Sequence, residues 1–254
     1  MERANLLQLQ NGSDVRGIAL TGIEGENVNL TPDVVRIIAA SYALWMARKS
    51  NKPIGELILG VGHDSRLSAD SLKKGVINGL LLAGCQVMDC GLCSTPSMFM
   101  GIVFKETHFD GSIMITASHL PFNRNGLKFF NQNGGLNSTD IKEILLEAEK
   151  LTLSQKSNNR QANKLNLIDF YSRFLRDKIK QGVNSEDYDH PLKGLKIVVD
   201  AGNGSGGFFV EQVLKPLGAD TAGSQFLNPD GSFPNHIPNP ENETAMEAIR
   251  KATL

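Results

Sequence analysis

One segment of the chain, residues 111–130, carries a serine, a histidine and a lysine at positions where they could do chemistry. An apolar strand over residues 113–115 runs toward Ser118 and His119, and a turn with proline and glycine starts a second strand that carries Lys128. This order predicts that the serine and histidine lie at a strand end and that the returning strand brings the lysine back. Ligands of open α/β sheets collect at the carboxyl ends of strands. A hydroxyl, an imidazole and an ammonium gathered there suit covalent group transfer.

The pair Ser118-His119 also has simpler interpretations. A serine beside a histidine at a strand end is common in turns, where the hydroxyl bonds nearby backbone. The segment lacks the Gly-x-Ser-x-Gly pattern of the α/β-hydrolases, which disfavours that class. Neighbouring side chains also do not easily form a serine–histidine proton relay. A serine that carries a phosphoryl group fits better, because it needs cationic partners rather than a strong base.

Two arginines are further candidates for binding an anion. Arg16 lies in Ser13-Asp-Val-Arg-Gly17, and the alternative is an ordinary surface arginine beside a loop glycine. Arg66 ends Gly62-His-Asp-Ser-Arg66, where it could meet an anion together with backbone N–H groups. The alternative there is a strand-to-helix turn in which Asp64 bonds its own backbone.

A glycine-rich turn at residues 200–207 supplies a rival function. It contains Gly-x-Gly-x-x-Gly between a predicted strand and a predicted helix, the pattern of dinucleotide-binding sites. Such a site also needs an acidic residue at the end of the next strand, but Asp230 lies beyond a proline turn. A tight turn explains these glycines better, and a dinucleotide-binding module is the weaker alternative.

The elements around these residues predict an α/β fold. Strands at 56–61, 85–89 and 111–116 alternate with helices that start near Ser68 and Thr95. This alternation predicts a three-layer α/β/α domain with a mostly parallel mixed sheet covered on both faces. Further helices are predicted over residues 32–48, 141–151 and 165–179, with a polar surface loop over 153–163.

The chain is predicted to hold one complete domain and part of another. We expect a first domain over residues 1–180, a polar linker over 181–191 and an incomplete second α/β domain over 192–254. The second domain opens with strands at 195–199 and 219–226, which are too few for a stable sheet. Its apolar side chains are therefore expected to stay uncovered and to promote self-association: Val198, Phe208, Phe209, Val213 and Leu217.

The composition narrows the class of protein. The 254 residues include 26 Lys and Arg against 27 Asp and Glu, a net charge of −1, which offers no broad footprint for nucleic acid. We expect no membrane partner, because no apolar run approaches the ~20 residues of a spanning helix. The first twenty residues lack a signal-peptide layout, so we expect a cytoplasmic protein, or an organellar stroma if a transit peptide is missing. The three cysteines, which include Cys90-Gly-Leu-Cys93, are expected to be buried reduced thiols.

Seven segments, in this order, resemble those of one known family: Asp14-Val-Arg-Gly17, Gly62-His-Asp-Ser-Arg-Leu-Ser68, Pro96, Thr116-Ala-Ser-His119, Asn125-Gly-Leu-Lys128, Asp200-Ala-Gly-Asn-Gly204 and Asp230-Gly-Ser-Phe-Pro-Asn235. The family is the α-D-phosphohexomutases, which are the phosphoglucomutase and phosphomannomutase enzymes. The resemblance runs from about Leu7 to the end of the chain. The Thr-Ala-Ser-His segment with its downstream Asn-Gly-x-Lys is its most specific part.

The resemblance implies a function for each candidate residue. In the family, the serine that matches Ser118 is phosphorylated and moves a phosphoryl group between C1 and C6 of a hexose phosphate through a bisphosphate. Its phosphate implies one ligand to a Mg²⁺ ion, so Ser118 is also the implied metal residue. Lys128 and His119 match residues of the acid/base and phosphate environment, and Arg16 matches one that contacts phosphate. The implied partners are hexose phosphate and hexose bisphosphate.

Two departures from the family pattern and one missing part bear on activity. His63 stands where the family usually has arginine, and Leu120 where it usually has asparagine. The Asp-rich metal loop of the family has no match in this sequence, and the third and fourth domains are absent. We therefore expect the isolated chain to turn over substrate barely or not at all. The alternative function is a non-catalytic binding or regulatory protein of the same fold.

Overall fold

The structure, a computed structural model, describes residues 5–153 and 160–254. It divides into two compact units. The first unit comprises Met1–Asp64, Ser68–Ala117 and Asn123–Leu165, and the second comprises Ser65–Leu67, Ser118–Phe122 and Asn166–Leu254. Most of the polar loop predicted at 153–163 lies outside the described residues. The predicted domain boundaries at 180 and 192 stay predictions, because these units follow packing rather than position along the chain.

A mixed eight-stranded sheet forms the centre of the first unit. Its strands are β1 (Gln10–Asn11), β2 (Asp14–Ile18), β3 (Ile58–His63), β4 (Gln86–Leu92), β5 (Gly111–Ile115), β6 (Arg124–Asn131), β7 (Gly134–Gly135) and β8 (Asn163–Lys164). They lie in the order β1-β2-β6-β5-β3-β4-β8, and β7 pairs with β6. The predicted α/β class is confirmed.

The direction of each strand follows from its connection. β3 is parallel to both β4 and β5, because a helix crosses over between consecutive strands of this group. β6 is antiparallel to β5 and to β2, because the chain returns directly after the turn that follows β5. The sheet is therefore parallel at β5-β3-β4-β8 and antiparallel from β5 across to β1.

The first unit contains four α-helices, three of which begin at a side-chain cap. They are α1 (Pro32–Ser50), α2 (Ala69–Ala83), α3 (Thr95–Val103) and α4 (Ser138–Ala148), with 3₁₀ turns at Leu6–Leu9 and Ile54–Glu56. Thr31 caps α1 by accepting from the amide of Val34 at 3.3 Å. Asn137 caps α4 by accepting from the amides of Thr139 and Asp140. α1 packs on α2 and α4 over a core that includes fully buried Ile38, Leu59, Val61 and Ile113.

The second unit is less regular than predicted. It contains α5 (Leu167–Val183), α6 (Glu243–Thr253), 3₁₀ turns at Ser205–Gly207 and Lys215–Leu217 and a π-helical turn at Phe209–Leu214. The helix predicted directly after the glycine-rich turn cannot stay α-helical near its end, because Pro216 has no N–H to give the carbonyl of Gln212. Arg176 satisfies that carbonyl instead, with Nη1 2.5 Å from the oxygen.

The two strands predicted in the second unit form only isolated parallel bridges, Lys196 to Asp220 and Asp200 to Gln225. A turn between them, in which the amide of Ser224 bonds the carbonyl of Thr221, interrupts the ladder. Two interrupted segments do not make regular strands, so the predicted strands at 195–199 and 219–226 are wrong.

Part of the predicted apolar exposure is also wrong. Val213 and Leu217 are buried in a small cluster with Leu192 and Ala219, because side chains of α5 pack against it. Val198, Phe208 and Phe209 are half-buried. Within the described residues, no helix combines the length and hydropathy needed to cross a bilayer.

Candidate active site

The backbone of Ser118 is in the left-handed region. The chain leaves β5 at Ile115, and Ser118 has φ +55°, a value that residues other than glycine, asparagine and aspartate seldom adopt. Both Ser118 and His119 are exposed. Oγ of Ser118 lies 3.3 Å from Nδ1 of His119, so the two neighbouring side chains do reach hydrogen-bond distance. The left-handed turn therefore presents the hydroxyl to solvent beside the imidazole of His119.

Arg66 bonds the backbone of the segment that contains this serine, the serine loop (Ser118–Phe122). Its guanidinium donates to the carbonyls of Ser118, Leu120 and Pro121 at 2.8, 2.7 and 2.7 Å. All of these residues belong to the second unit. Arg66 thus engages carbonyl dipoles, which is a different role from the anion binding considered from the sequence.

In the first unit, Arg16 and Lys128 meet at one carboxylate. β2 and β6 are paired with Val15 opposite Leu127, which sets Asp14 opposite Lys128. Oδ2 of Asp14 accepts from Nη2 of Arg16 at 2.8 Å and from Nζ of Lys128 at 2.6 Å. Arg16 also donates to the carbonyl of Thr116. The structure therefore brings these two predicted cations together through an acidic residue.

The segment after β3 bonds the end of β5. Asp64 accepts from the hydroxyl of Thr116 at 2.7 Å, and its own amide donates to the carbonyl of Ile115 at 3.1 Å. Nδ1 of His63 lies 2.7 Å from the carbonyl of Asp64, and Nε2 lies 3.5 Å from Nζ of Lys73. An ammonium therefore accompanies the histidine that stands where the family usually has arginine.

Sequence reasoning did not identify Asp14 as the common acceptor of the two cations. It also did not identify Arg66 as the donor to the carbonyls of the serine loop. Asp14 was visible in principle, because residues two apart on a strand face the same side, which places it with Arg16. Arg66 offered no such signal, since its acceptors are main-chain carbonyls more than fifty positions away. Of the predicted residues, the second unit brings together Ser118 and His119, and the first unit brings together Arg16 and Lys128.

Contacts within the protein account for the glycine-rich turn at 200–207, so a bound dinucleotide is not needed to explain its glycines. A Cβ on Gly207 would collide with the carbonyl of Leu227. Asp200 accepts from the amide of Gly202 at 2.8 Å and lies 3.1 Å from Nε2 of His236. The side chains of Asp200 and His236 are 9% and 7% exposed. These contacts support the tight-turn interpretation of the sequence.

The three cysteines are free and buried, as predicted. Burial raises the pKa of Cys85 to about 12. A hydrogen bond with the thiol of Cys93, together with burial, raises the pKa of Cys90. Thiols held in the protonated form are poor nucleophiles and poor metal ligands.

Within residues 5–153 and 160–254, no group of three or more histidine, cysteine, aspartate or glutamate side chains is arranged to hold a metal ion. A Mg²⁺ site usually draws on carboxylate oxygens. The family resemblance implied one Mg²⁺ ligand on this chain, the phosphate of Ser118.

Comparisons with known proteins bear on both parts of the chain. The family model for phosphoglucomutase/phosphomannomutase α/β/α domain I matches residues 7–155, and the model for domain II matches residues 173–253. A phosphomannomutase/phosphoglucomutase of Pseudomonas putida is 32% identical over 85% of this chain and 44% of its own length. A phosphoglucosamine mutase of Pediococcus pentosaceus is 32% identical over 87% of this chain and 46% of its own length.

A solved structure agrees with these matches. A phosphoglucomutase/phosphomannomutase family protein of Burkholderia thailandensis superposes with a TM-score of 0.73 at 26% identity, covering 94% of this chain and 48% of that one. The chain thus spans about half the length of the relatives that it matches. Because the domain I model alone covers more than half of the sequence, the chain belongs to the phosphoglucomutase/phosphomannomutase family.

Proposed function

We propose that this chain carries the phosphoryl-transfer serine of a phosphohexomutase, and that Ser118 is that serine. The observation that carries the proposal is an exposed hydroxyl on a strained left-handed turn that is bonded through its backbone. Strained backbone of this kind persists where the surroundings over-determine it, and it clusters at functional sites. Membership of the family supplies the reaction class.

The proposed step transfers one phosphoryl group from a hexose bisphosphate to Ser118. Oγ attacks phosphorus, the bond from phosphorus to the sugar oxygen breaks, and the sugar oxygen leaves as a hydroxyl after taking up a proton. His119 supports this step, because its Nδ1 lies 3.3 Å from Oγ and can take the serine proton. The reverse transfer returns the phosphoryl group to the other hydroxyl of the sugar.

Arg16 and Lys128 receive their proposed roles from the family pattern. Arg16 contacts phosphate, and Lys128 belongs to the acid/base and phosphate environment. A guanidinium and an ammonium suit this task, because charge on phosphoryl oxygens must be stabilised during transfer. Their shared bond to Asp14 fixes both side chains within the first unit. A Mg²⁺ ion belongs to the proposal with one ligand on this chain, the phosphate of Ser118.

The substrate class is a hexose phosphate, and the sugar stays open. The relatives are named after mannose, glucose and glucosamine phosphates. The activity of a whole phosphohexomutase is therefore proposed for this chain only at the level of the class.

The test is the mass of the intact chain after incubation with glucose 1,6-bisphosphate. We expect one phosphoryl group to be added to the wild-type chain and none to be added to Ser118→Ala. The matched control is Ser138→Ala, which removes an exposed serine of the first unit, outside the serine loop, and should keep the adduct. A wild-type chain that gains no mass would instead support the binding or regulatory alternative.

A further inference from the structure

We propose that Arg66 is a positioning residue that fixes the serine loop in the conformation that presents the Ser118 hydroxyl, and that the turn Asp230–Phe233 holds Arg66 in place. The proposal rests on the proposed function of Ser118. It assigns a role to two segments of the second unit that the family resemblance marked only as motifs.

The first step is the geometry of the guanidinium. Arg66 is 2% exposed and donates to three carbonyls within four residues, those of Ser118, Leu120 and Pro121. A guanidinium has five N–H donors in a fixed planar fork, so several acceptors are held in one relative arrangement. A lysine at this position would keep the charge and lose the fork.

The second step is the strain in the acceptor segment. Ser118 has φ +55°, and a side chain with a Cβ disfavours that backbone conformation. A serine loop without its guanidinium would therefore relax toward other backbone conformations. Because the carbonyl of Ser118 itself is one acceptor, Arg66 acts directly on the strained residue.

The third step is the support of Arg66. The ring of Phe233 lies over the guanidinium, with its centroid 5.5 Å from Cζ. Two residues earlier, a Cβ on Gly231 would collide with the backbone of Ser65–Leu67. The turn is closed by Asp230, whose carboxylate accepts from the amide and hydroxyl of Ser232 at 2.9 and 2.7 Å. This turn therefore packs closely against the segment that carries Arg66.

The first measurement does not depend on catalysis. Hydrogen exchange of the amides of His119, Leu120 and Phe122 is compared between wild type and Arg66→Lys. We expect exchange in the serine loop to become at least about tenfold faster in the variant, because its backbone acceptors lose their common donor. Phe233→Leu, which keeps Arg66 and removes the ring above it, should give a smaller increase.

The second measurement is phosphoryl uptake at Ser118 from glucose 1,6-bisphosphate. We expect the rate of uptake to fall about tenfold or more in Arg66→Lys. Arg66→Ala should recover part of its rate when guanidinium chloride is added at non-denaturing concentration, whereas potassium chloride at the same ionic strength should not restore it. Such rescue would not follow from a general loss of packing.

The matched control is Arg176→Lys. Arg176 lies in the same unit and also donates to a main-chain carbonyl, that of Gln212, but it makes this bond outside the serine loop. It should leave both the exchange of the loop and the uptake rate at wild-type values. Circular dichroism verifies that each variant is folded. If Arg66→Lys does not fold, Phe233→Leu tests the proposal in its place.

The outcomes separate this inference from the proposed function. Unchanged loop exchange in both Arg66→Lys and Phe233→Leu would overturn the positioning role, whatever the uptake. If the wild-type chain takes up no phosphoryl group, the proposed function fails while the exchange measurement still decides whether Arg66 holds the loop.

Discussion

At the scale of single residues, the carboxylate of Asp14 stands out because one of its oxygens serves two cations. The side chains of Asp14, Arg16 and Lys128 are all partly buried, so solvent screens their interactions less than it would at the surface. Removing one partner of such a group leaves the others with uncompensated charge. Asp14 is therefore expected to stabilise the paired strands β2 and β6.

Replacing Asp14 by asparagine tests this expectation. Asp14→Asn should lower the free energy of unfolding by about 1–3 kcal/mol, because two cations lose their common counter-charge. Urea denaturation gives this value. Asp33→Asn is the control: Asp33 is highly exposed and its ion pair is with Arg36, one helical turn away, so the variant should cost less than about 1 kcal/mol. Equal losses in the two variants would contradict the role of the shared oxygen.

His236 gives the second unit a dependence on pH. Burial lowers its pKa, but hydrogen bonds to the carbonyl of Ile237 and to Asp200, with the charge of Asp200, outweigh burial and raise the pKa above its ordinary 6.5. Both ring nitrogens face acceptors, at 2.9 Å to Ile237 and 3.1 Å to Asp200, as the imidazolium requires. The raised pKa therefore corresponds to stability that depends on protonation.

The sign follows from the direction of the shift. The contribution of His236 is fully present below the unfolded pKa and is lost as the pH rises through the higher folded value. The unfolding free energy of the second unit should therefore fall as the pH rises from below 6.5 through the higher folded pKa, as measured by hydrogen exchange under conditions corrected for intrinsic rates. His236→Gln should flatten this dependence, whereas His190→Gln, at a histidine whose side chain is 55% exposed, should keep it.

At the scale of elements, the sequence predicts some segments better than others for identifiable reasons. α1, α2 and the strands β3 to β5 carry strong periodic patterns bounded by caps and glycine, and their positions are confirmed within a few residues. The segment Phe209–Leu217 has helical periodicity too, but Pro216 removes a donor and turns it into π and 3₁₀ geometry. Periodicity describes the side chains and not the backbone bonds that a proline deletes.

The candidate site likewise has one part that could be predicted from the sequence and one part that could not. The serine loop and its histidine could be predicted, because a strand, a turn and a returning strand are local features of sequence. The bonds from Arg66 to that loop could not, because they depend on how distant segments pack. The family resemblance identified both motifs without explaining why they occur together.

Two glycines of the second unit are expected to respond to alanine with opposite signs. Gly231→Ala should destabilise the unit by about 1–3 kcal/mol, because its Cβ would meet the backbone of Ser65–Leu67. Gly182→Ala, in α5, has open space around the added atom and should stabilise by about 0.5–1 kcal/mol. Urea denaturation of both variants gives the comparison. If Gly231→Ala leaves the free energy of unfolding unchanged, the turn can move away from the added Cβ.

At the scale of the whole molecule, self-association through the second unit stays a prediction. Its apolar side chains Leu195 and Ile237 are 52% and 57% exposed. We expect the sedimentation coefficient to rise with concentration, and the double variant Leu195→Glu/Ile237→Glu to remove this rise. Val103→Glu, at a residue of the first unit that is 53% exposed, is the control and should leave the association unchanged. A wild-type chain that sediments as a monomer at every concentration would contradict the prediction.

The two units differ in their content of cysteine. Cys85, Cys90 and Cys93 all lie buried in the first unit, and the chain has no other cysteine. A thiol-alkylating reagent can reach them only when the first unit opens, so the rate of alkylation measures the rate at which that unit opens. The second unit contains no cysteine, so opening within it exposes no thiol of its own, and alkylation of the unmutated chain reports the first unit.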